Sequence, residues 1–430
     1  MSDPLRIGVA GLGTVGVGTV KLLRQNKTIL SERCGREIIV TAVSARDPAK
    51  DRGISLSDCT WHSDAETLAT DENVDVVVEL IGGSDGIAKD LIEAALANGK
   101  HVVTANKALV AHHGCALAVT AENARLVLAY EAAVAGGIPI IKALREGMSA
   151  NAIDRVYGIL NGTCNYILTS MRETGKEFQM VLSEAQELGY AEADPAFDVD
   201  GIDAAHKLSI LASLAFGCQV NFDAVYVEGI QQVSPLDIQF AAELGYRIKL
   251  LGITCRTTSG IEQRVHPCMV PLGAPIAHVE DVFNAVVVHG DHVGRTLYEG
   301  RGAGQGPTSS AVVADIADIA SGRNTRTFGI QAGNLSKLQT VAMSERVGSY
   351  YARFTVIDRP GVLADIAAAL RDHDVSMEAV LQRGRAPGES VSVVLTTHET
   401  REANMMATIN TIDETKAVLE PTMMIRVERF

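Results

Sequence analysis

The feature that most constrains the fold of this chain is a glycine turn near its N-terminus. An apolar run over residues 5–10 ends in the sequence GLGTVG at residues 11–16, and a helix-compatible stretch follows at once. Gly11 permits a tight turn, Gly13 lets backbone amides approach a pyrophosphate, and Gly16 allows the helix to pack closely on the strand. This order predicts a dinucleotide site at a helix N-terminus, although a tight turn without a ligand stays open for a single motif.

Strand-like and helix-like stretches alternate over residues 1–135. Further strand-like runs occur at residues 38–43, 74–80, 101–104 and 126–130. The clearest helix between them covers residues 87–98 and is closed by Gly99. Because alternating strands and helices build a parallel sheet covered on both faces, we interpret residues 1–135 as a doubly wound α/β domain of the Rossmann type.

The pattern changes twice beyond this domain. Residues 136–320 mix helices with later strand-like runs, which predicts an α+β domain, and a glycine turn near residues 302–308 opens a helix compatible with a return to the first domain. Residues 321–348 are richer in polar residues, glycine and arginine, which is typical of a linker. Residues 349–430 follow the order strand, helix, strand, strand, helix, strand, which predicts a ferredoxin-like plait.

Composition excludes several classes of protein. A formal net charge of −14 argues against nucleic acid as a partner, because phosphate-backbone binding needs clustered Lys and Arg. The apolar runs are too short for a bilayer span, which needs about 20 residues. The N-terminus shows no basic and apolar leader, so we expect a cytoplasmic protein. The seven cysteines are scattered without metal-ligand spacing, which indicates reduced thiols.

The end of the second strand bears on the choice between NAD and NADP. Ser44 and Arg46 are suited to a 2′-phosphate, whereas Asp47 is of the acidic type that accepts from the ribose hydroxyl. This sequence favours NADP and leaves dual use open. An interpretation of Arg46 as a solvated loop cation also stays open.

Two further segments carry residues that suit catalysis. Lys107 follows a strand end, and ligands of a doubly wound sheet bind beyond the carboxyl ends of strands, although a solvated lysine is the simpler alternative. Residues 189–207 crowd five carboxylates before a helix on which Asp203 and Lys207 lie four residues apart. They form either a surface ion pair of little energetic value or a proton donor beside carboxylates that bind a substrate ammonium.

Seven motifs in order resemble homoserine dehydrogenase over essentially the whole chain. They are GLGTVG at 11–16, ANK at 105–107, EAAVAGGIP at 131–139, LNGT at 160–163, GYAEADP at 189–195, GIDAAHK at 201–207 and DRPGVL at 358–363. The last of these resembles the start of an ACT domain, the regulatory module of the longer bacterial members. The resemblance implies a Rossmann domain, a central catalytic and dimerisation domain, and a C-terminal ferredoxin-like ACT domain.

The resemblance also implies an activity and roles for individual residues. In this family NAD(P)H delivers hydride to the aldehyde of aspartate 4-semialdehyde, giving homoserine for threonine, methionine and isoleucine biosynthesis. Lys207 falls on the proton donor of the family and Lys107 on its second lysine. The substrate-binding positions fall on Glu192, Asp198, Asp203, Gly162, Thr163 and Tyr190. The cofactor-binding positions fall on Gly11, Leu12, Gly13, Thr14, Val15, Gly16, Ser44, Arg46, Gly83, Ser84, Lys107, Gly189 and Gly306.

A cation, an effector and an oligomer are implied in the same way. The stretch 131–139 resembles a sodium site formed by the backbone carbonyls of Glu131, Val134, Gly136 and Ile138. The ACT resemblance implies feedback inhibition by threonine, with subunit assembly alone as the alternative role. Homodimerisation through the middle domain, with the tails adding a tetramer contact, is implied as well.

Two other functions stay open from the sequence. One is an NAD(P)-dependent dehydrogenase of a different small amino acid derivative, since fold and cofactor site do not define the substrate. The other is an amino acid sensor whose catalytic half has decayed. The presence of Lys107, Glu192, Asp203 and Lys207 together favours an active dehydrogenase of an ammonium-bearing substrate.

Overall fold

The N-terminal part of the chain builds a parallel sheet in the computed structural model, which describes residues 3–382 and 388–430. Its strands are β1 (Leu5–Ala10), β2 (Ile38–Ser44), β3 (Thr60–His62), β4 (Val76–Glu79), β5 (His101–Thr104) and β6 (Leu128–Ala129). They lie in the order β3-β2-β1-β4-β5-β6, and every pairing is parallel. The helices are α1 (Thr14–Gln25), α2 (Lys27–Cys34), α3 (Ile87–Ala97) and α4 (Lys107–Asn123). The predicted doubly wound domain is confirmed.

The central strands of this sheet are apolar because helices cover both of their faces. All four residues of β4 are buried, and β1 is buried except at Arg6. Helix α4 starts where it does because Asn106 caps it, its side-chain oxygen accepting from the backbone amide of Leu109 at 3.1 Å. The carboxyl ends of β1, β4 and β5 therefore open onto the N-termini of helices.

A second, mostly antiparallel sheet forms the middle of the molecule. Its strands are β7 (Ile153–Ile159), β8 (Tyr226–Val227), β9 (Tyr246–Thr257), β10 (Gly260–Pro271), β11 (Phe283–Gly290) and β12 (Gly294–Arg301). The helices of this region are α5 (Ile140–Lys142), α6 (Gly162–Thr174), α7 (Phe178–Glu187), α8 (Ala196–Val199), α9 (Ile202–Phe216), α10 (Pro235–Glu243) and α11 (Gln305–Ala320). Helix α9 packs across β7 and β9, and its residues are almost all buried. This packing places one helix turn directly over the end of β7.

Helix α11 returns to the first domain. It packs along α1, where the Ser309 hydroxyl donates to the Val15 carbonyl at 3.1 Å and a side chain on Gly18 would collide with Ser309 and Gln305. Its apolar residues share one core with β1 and β4. The chain segment after it, up to residue 346, holds short turns that hydrogen-bond to the middle sheet, as Val341 does to Ile261 at 2.9 Å.

The C-terminal region has the predicted order of elements. Its elements are β13 (Val347–Ile357), α12 (Val362–Asp372), β14 (Met377–Gln382), β15 (Ser390–Thr397), β16 (Thr400–Arg401), α13 (Glu402–Asp413) and β17 (Met423–Val427). Their sheet order, β17-β13-β15-β14, is that of a ferredoxin-like plait. Strand β13 begins at Val347, so the last two residues of the predicted linker belong to this sheet.

The plait does not stand apart from the rest of the protein. Strand β17 pairs in parallel with β10, joining Cys268 to Arg426 and Met269 to Val427. The middle and C-terminal strands thereby form one continuous sheet in the order β12-β11-β7-β9-β10-β17-β13-β15-β14. A plait of this length is large enough to fold alone, but here one of its edges pairs with the catalytic region.

Within the described part of the chain, no helix combines the length and the apolar character needed to cross a bilayer. The seven cysteines all fall within that part and are free thiols.

Candidate active site

The glycine turn lies at the carboxyl edge of the parallel sheet. Gly11 has φ of +94°, a conformation that glycine adopts without strain, and its amide donates to the Ser44 carbonyl at 2.9 Å. A methyl group on Gly16 would lie 1.9 Å from the Gly11 carbonyl oxygen, so this glycine is required by the turn itself. A methyl group on Gly13 would meet no described heavy atom within 4 Å. The backbone at Gly13 therefore faces open space above the N-terminus of α1, which fits a pyrophosphate.

A second helix N-terminus lies beside the first. The Gln305 side chain donates to the Thr14 carbonyl at 3.1 Å, which joins the first turn of α11 to the first turn of α1. Gly304 precedes α11 with φ of +118°, and a methyl group on Gly306 would again meet open space among the described residues. Both helix ends contribute partial positive charge to one place.

The rim of the crevice is shaped by Glu79, which sequence reasoning missed. This fully buried carboxylate accepts from the backbone amides of Ile81 and Gly82 at 2.7 and 3.1 Å, and from the Thr104 hydroxyl at 2.6 Å. The Asn106 side chain donates to the Gly83 carbonyl at 2.6 Å. These bonds fix the loop that carries Gly83 and Ser84, both predicted cofactor positions, next to Lys107.

The two residues predicted to receive a 2′-phosphate differ in exposure. Ser44 is buried in β2, whereas Arg46 is exposed in the following loop. The Asp47 carboxylate accepts from the backbone amide of Ala49 at 2.8 Å, so it is engaged in its own turn. The loop after β2 therefore carries an exposed cation in Arg46.

The chemical centre is a buried carboxylate between two lysines. Lys207, 8% exposed, lies one helical turn after Asp203 on α9 and donates to it at 2.7 Å. Lys107, the first residue of α4, approaches the other oxygen of Asp203 at 3.1 Å. Lys207 also donates to the Leu160 carbonyl at the end of β7, at 2.7 Å. The alternative of a surface ion pair is wrong, since both Asp203 and Lys207 are buried.

Asn161 joins this centre to a second carboxylate, and sequence reasoning did not single it out for that role. Its side-chain nitrogen donates to Asp203 and to Asp198, both at 2.8 Å, while its oxygen caps α6 by accepting from Cys164. The Thr163 hydroxyl lies 3.2 Å from the Asp198 carboxylate and 2.8 Å from the Tyr190 carbonyl, so these two acceptors share its one proton. Two acids and two lysines from three helices, α4, α8 and α9, thus meet within one hydrogen-bonded cluster.

The two carboxylates differ in their proton affinity. Burial alone would raise the pKa of Asp203, but the charges of Lys207 and Lys107 and the hydrogen bonds hold it well below its usual range. Burial and then the charge of Asp203 raise the pKa of Asp198 above its usual range. Asp203 is therefore a permanent anion that keeps two ammonium groups in place.

The remaining predicted substrate residues lie at the mouth of this cluster. The Tyr190 carbonyl accepts from the Thr163 hydroxyl at 2.8 Å, and its ring is exposed and packs at 4.9 Å from that of Tyr166. Gly162 fits tightly, since a methyl group there would lie 2.7 Å from the Val282 carbonyl. Glu192 is exposed, and among the described residues its carboxylate contacts no member of the cluster. Its predicted place beside Asp203 is not observed in this arrangement.

Aromatic rings border the cluster at the joint between the two domains. Lys107 lies over the ring of Phe197 at 5.4 Å, and Phe197 packs against His206, which stacks on Phe222 at 4.2 Å. His206 Nε2 lies 3.3 Å from that of His112 on α4. Burial, followed by the charges of His112 and Lys107, lowers the pKa of His206 to about 4. These rings have no sequence signature, because α4 and α9 meet only in the fold.

The predicted cation ligands lie on a turn between the two domains. Ala135 has φ of +51°, and the Gly137 amide donates to the Arg301 carbonyl at 2.9 Å. The Glu131 carboxylate accepts from the backbone amides of Ile141 and Lys142, one to each oxygen, which holds the side chain against the start of α5. The Ile138 carbonyl already accepts from Ile140 at 2.7 Å and keeps one lone pair.

Three features define an NAD(P)-dependent oxidoreductase. They are a doubly wound parallel sheet, a glycine turn at the carboxyl edge of this sheet and a lysine-carboxylate cluster that faces the turn. Comparison with known proteins identifies the family. The homoserine dehydrogenase NAD-binding domain matches residues 11–131, the homoserine dehydrogenase family model matches 139–317, and the ACT domain matches 350–414. The chain belongs to the homoserine dehydrogenase family, and the resemblance seen in its motifs is confirmed.

Individual relatives agree with this over the full length. The homoserine dehydrogenase of Neisseria gonorrhoeae is 48% identical, with 99% of each chain covered. The crystal structure of a homoserine dehydrogenase from Thiobacillus denitrificans superposes with a TM-score of 0.93 at 46% identity, covering 99% of this chain and 98% of that one. A hyperthermophilic archaeal homoserine dehydrogenase in complex with NADPH matches 74% of this chain and 97% of its own, with a TM-score of 0.63 and 26% identity.

Proposed function

We propose that this enzyme interconverts L-aspartate 4-semialdehyde and L-homoserine in threonine, methionine and isoleucine biosynthesis, with Lys207 as the proton donor. The observation that carries the proposal is Asp203 held between Lys107 and Lys207 at 3.1 and 2.7 Å. When bound, the reduced nicotinamide supplies a hydride to the aldehyde carbon. The aldehyde oxygen then gains negative charge, which a positioned ammonium group stabilises and protonates.

Each residue of the cluster has a separate task in this scheme. Lys207 Nζ donates the proton to the aldehyde oxygen, while Asp203 and the Leu160 carbonyl fix its direction. Lys107, at the end of β5, stands between the cofactor crevice and the substrate and stabilises the same oxygen. The two lysines neutralise Asp203, whereas the described contacts of the Asp198 carboxylate come from the neutral donors Asn161 and Thr163. Asp198 is therefore free to pair with the substrate ammonium, with Glu192 and Tyr190 closing the pocket from the exposed side.

The choice of substrate is tested by comparing L-homoserine with 4-hydroxybutyrate, which carries the same alcohol without the ammonium group. We expect kcat/KM for 4-hydroxybutyrate to be lower by ~10² or more, because the half-buried Asp198 is then left without a cationic partner. Asp198→Asn is expected to raise KM for homoserine and to leave 4-hydroxybutyrate unaffected. Equal rates for both alcohols in the wild-type enzyme would favour a dehydrogenase of a different small molecule.

We propose NADP as the preferred cofactor, with NAD also accepted. The exposed Arg46 and the engagement of Asp47 in its own turn support this preference, since they leave a cation rather than an acid facing the ribose edge. The archaeal relative solved with NADPH agrees with it. We also propose that Leu12, Thr14, Val15 and Gly189 contact the cofactor, as the resemblance implies.

We propose a monovalent cation, sodium, at the carbonyls of Glu131, Val134, Gly136 and Ile138. The positive φ of Ala135 interrupts the regular hydrogen-bonding pattern in this turn, which suits carbonyl ligation of a hard cation. Its role is to stiffen the hinge between domains, with no part in the chemistry.

We propose threonine as a feedback inhibitor that binds in the C-terminal domain. A cavity of about 320 Å³ lies between residues 356–363 and strand β15, and Gly361 with φ of +98° precedes α12 at its rim. Amides at the start of α12 suit the carboxylate of an amino acid. An effector there acts by shifting the population of active enzyme.

This regulation is tested by filling the cavity. Leu363, 46% exposed, lines it, and we expect Leu363→Trp to keep basal activity and to lose inhibition by threonine. Leu419→Trp is the matched control, because Leu419 is 49% exposed in the same domain and does not line the cavity. If the wild-type enzyme neither binds threonine in calorimetry nor is inhibited by it, the C-terminal domain serves assembly alone. Deleting the domain from Ser349 is a poorer test, since it would uncover the edge of β10.

We propose the domain limits 1–135, 136–320 and 347–430, with 321–346 as a linker and 302–320 returning to the first domain. We propose a cytoplasmic homodimer or homotetramer. The free thiols agree with the cytoplasmic location. The two edge strands of the large sheet, β12 and β14, agree with the assembly of several copies. Strand β14 is exposed over most of its length, which suits pairing with a second copy.

A further inference from the structure

Arg426 connects the C-terminal domain to the catalytic region. It lies on β17, is 1% exposed, and donates through Nε to both oxygens of Glu402 at 3.0 Å within its own domain. Through Nη1 it donates to Glu228 at 2.7 Å, and through Nη2 to the Tyr226 hydroxyl at 3.1 Å. Glu228 and Tyr226 belong to the catalytic region. A buried guanidinium must be paired, so these bonds are a fixed part of the domain junction.

The segment 226–231 continues from this arginine toward the substrate pocket. The Glu228 amide donates to the Val265 carbonyl of β10 at 2.8 Å, which fixes the segment along the sheet. Two residues later the Ile230 amide donates to the Val199 carbonyl at 3.0 Å. The backbones are in close contact between these bonds, since a methyl group on Gly229 would lie 2.4 Å from the Val199 carbonyl oxygen.

Val199 ends the short helix α8 and follows Asp198 directly. Gly201, with φ of +86°, directly precedes α9, and a methyl group there would lie 3.1 Å from the Val227 side chain. The segment 226–231 thus contacts the chain on both sides of the turn that separates Asp198 from Asp203. Its position sets where these two carboxylates lie relative to Asn161.

From this geometry we propose that Arg426 and Glu228 are a positioning pair for the substrate loop, residues 196–203. The ion pair between Arg426 and Glu228 connects the C-terminal domain to the segment 226–231. That segment contacts the substrate loop and thereby fixes Asp198, the carboxylate proposed to bind the substrate ammonium. This assignment rests on the substrate role proposed for Asp198. The pair touches neither substrate nor cofactor, so it governs substrate affinity rather than the hydride step.

The test is Glu228→Gln, which keeps the shape of the side chain and removes its charge. The Glu228 side chain is 34% exposed and Arg426 keeps Glu402, so the fold is expected to persist. We expect KM for homoserine to rise by roughly 3- to 30-fold, the range seen for residues that couple sites, with kcat and the KM for NADP+ unchanged. Glu228→Asp, which retains the charge, is expected to give a smaller rise. Glu378→Gln, which removes an exposed ion pair with Arg429 in the same domain, is the control.

A double-variant cycle separates this proposal from the one on which it rests. If the pair acts through Asp198, adding Glu228→Gln to Asp198→Asn should cause no further rise in KM for homoserine. Additive effects, or an unchanged KM in Glu228→Gln, would overturn the positioning role. A normal KM for homoserine in the single variant Asp198→Asn would refute the substrate role of that carboxylate. If the single variant Glu228→Gln nevertheless raised this KM, the pair would act on another part of the site.

Discussion

Lys207→Ala is expected to lower kcat for homoserine oxidation by ~10² or more, while the affinity for NADPH stays near that of the wild-type enzyme. A positioned proton donor contributes on that scale, and Lys207 reaches the pocket from α9 rather than from the cofactor crevice. The variant should fold, because Asp203 keeps Lys107 and Asn161 as partners. Steady-state kinetics together with fluorescence titration of NADPH measure the two effects separately.

The control for this variant is Lys176→Ala. Lys176 pairs with Glu184 at the surface of the same region, and its loss should change neither turnover nor cofactor binding. Wild-type turnover in Lys207→Ala would remove the lysine from the chemistry. A combined loss of turnover and NADPH binding would instead indicate a structural role.

Gly13→Ala is expected to weaken NADP(H) binding by ~10-fold or more without lowering the thermal stability of the free enzyme. The added methyl group meets no described atom within 4 Å, so the fold has room for it, yet it occupies the space in which a pyrophosphate would approach the backbone. A tenfold change corresponds to about 1.4 kcal/mol of binding free energy. Calorimetric titration with NADPH and thermal unfolding of the apoenzyme check the two halves of the prediction.

Gly147→Ala provides the comparison. Gly147 also has open space around its added methyl group among the described residues, but it lies after α5, away from the crevice. Both variants should unfold like the wild-type enzyme, and only Gly13→Ala should lose cofactor affinity. Normal NADPH binding in Gly13→Ala would place the cofactor elsewhere.

The parts of the fold that local pattern determines could be predicted from the sequence. The strand before Gly11 has the predicted bounds, because an apolar run closed by a glycine turn defines it. Lys107 could be placed at the crevice because it directly follows a strand end. The order of elements in the ferredoxin-like domain followed from the same kind of pattern.

Contacts between distant segments could not be predicted. The pairing of Cys268 with Arg426 joins strands far apart in the chain, and nothing in either strand indicates its partner. Asn161 appeared only as a member of the LNGT motif, yet its side-chain amide bridges Asp198 and Asp203 because β7 ends beneath α9. Glu192 is exposed, so its predicted contact with the substrate stays a prediction.

The central claim is that this chain oxidises L-homoserine with the Lys107, Asp203 and Lys207 cluster. The most direct measurement is reduction of NADP+ and of NAD+ by the purified full-length protein, with and without L-homoserine, followed by the absorbance of the reduced cofactor. We predict homoserine-dependent reduction with both cofactors, at a higher kcat/KM with NADP+. Absence of a homoserine-dependent signal with either cofactor would contradict the account.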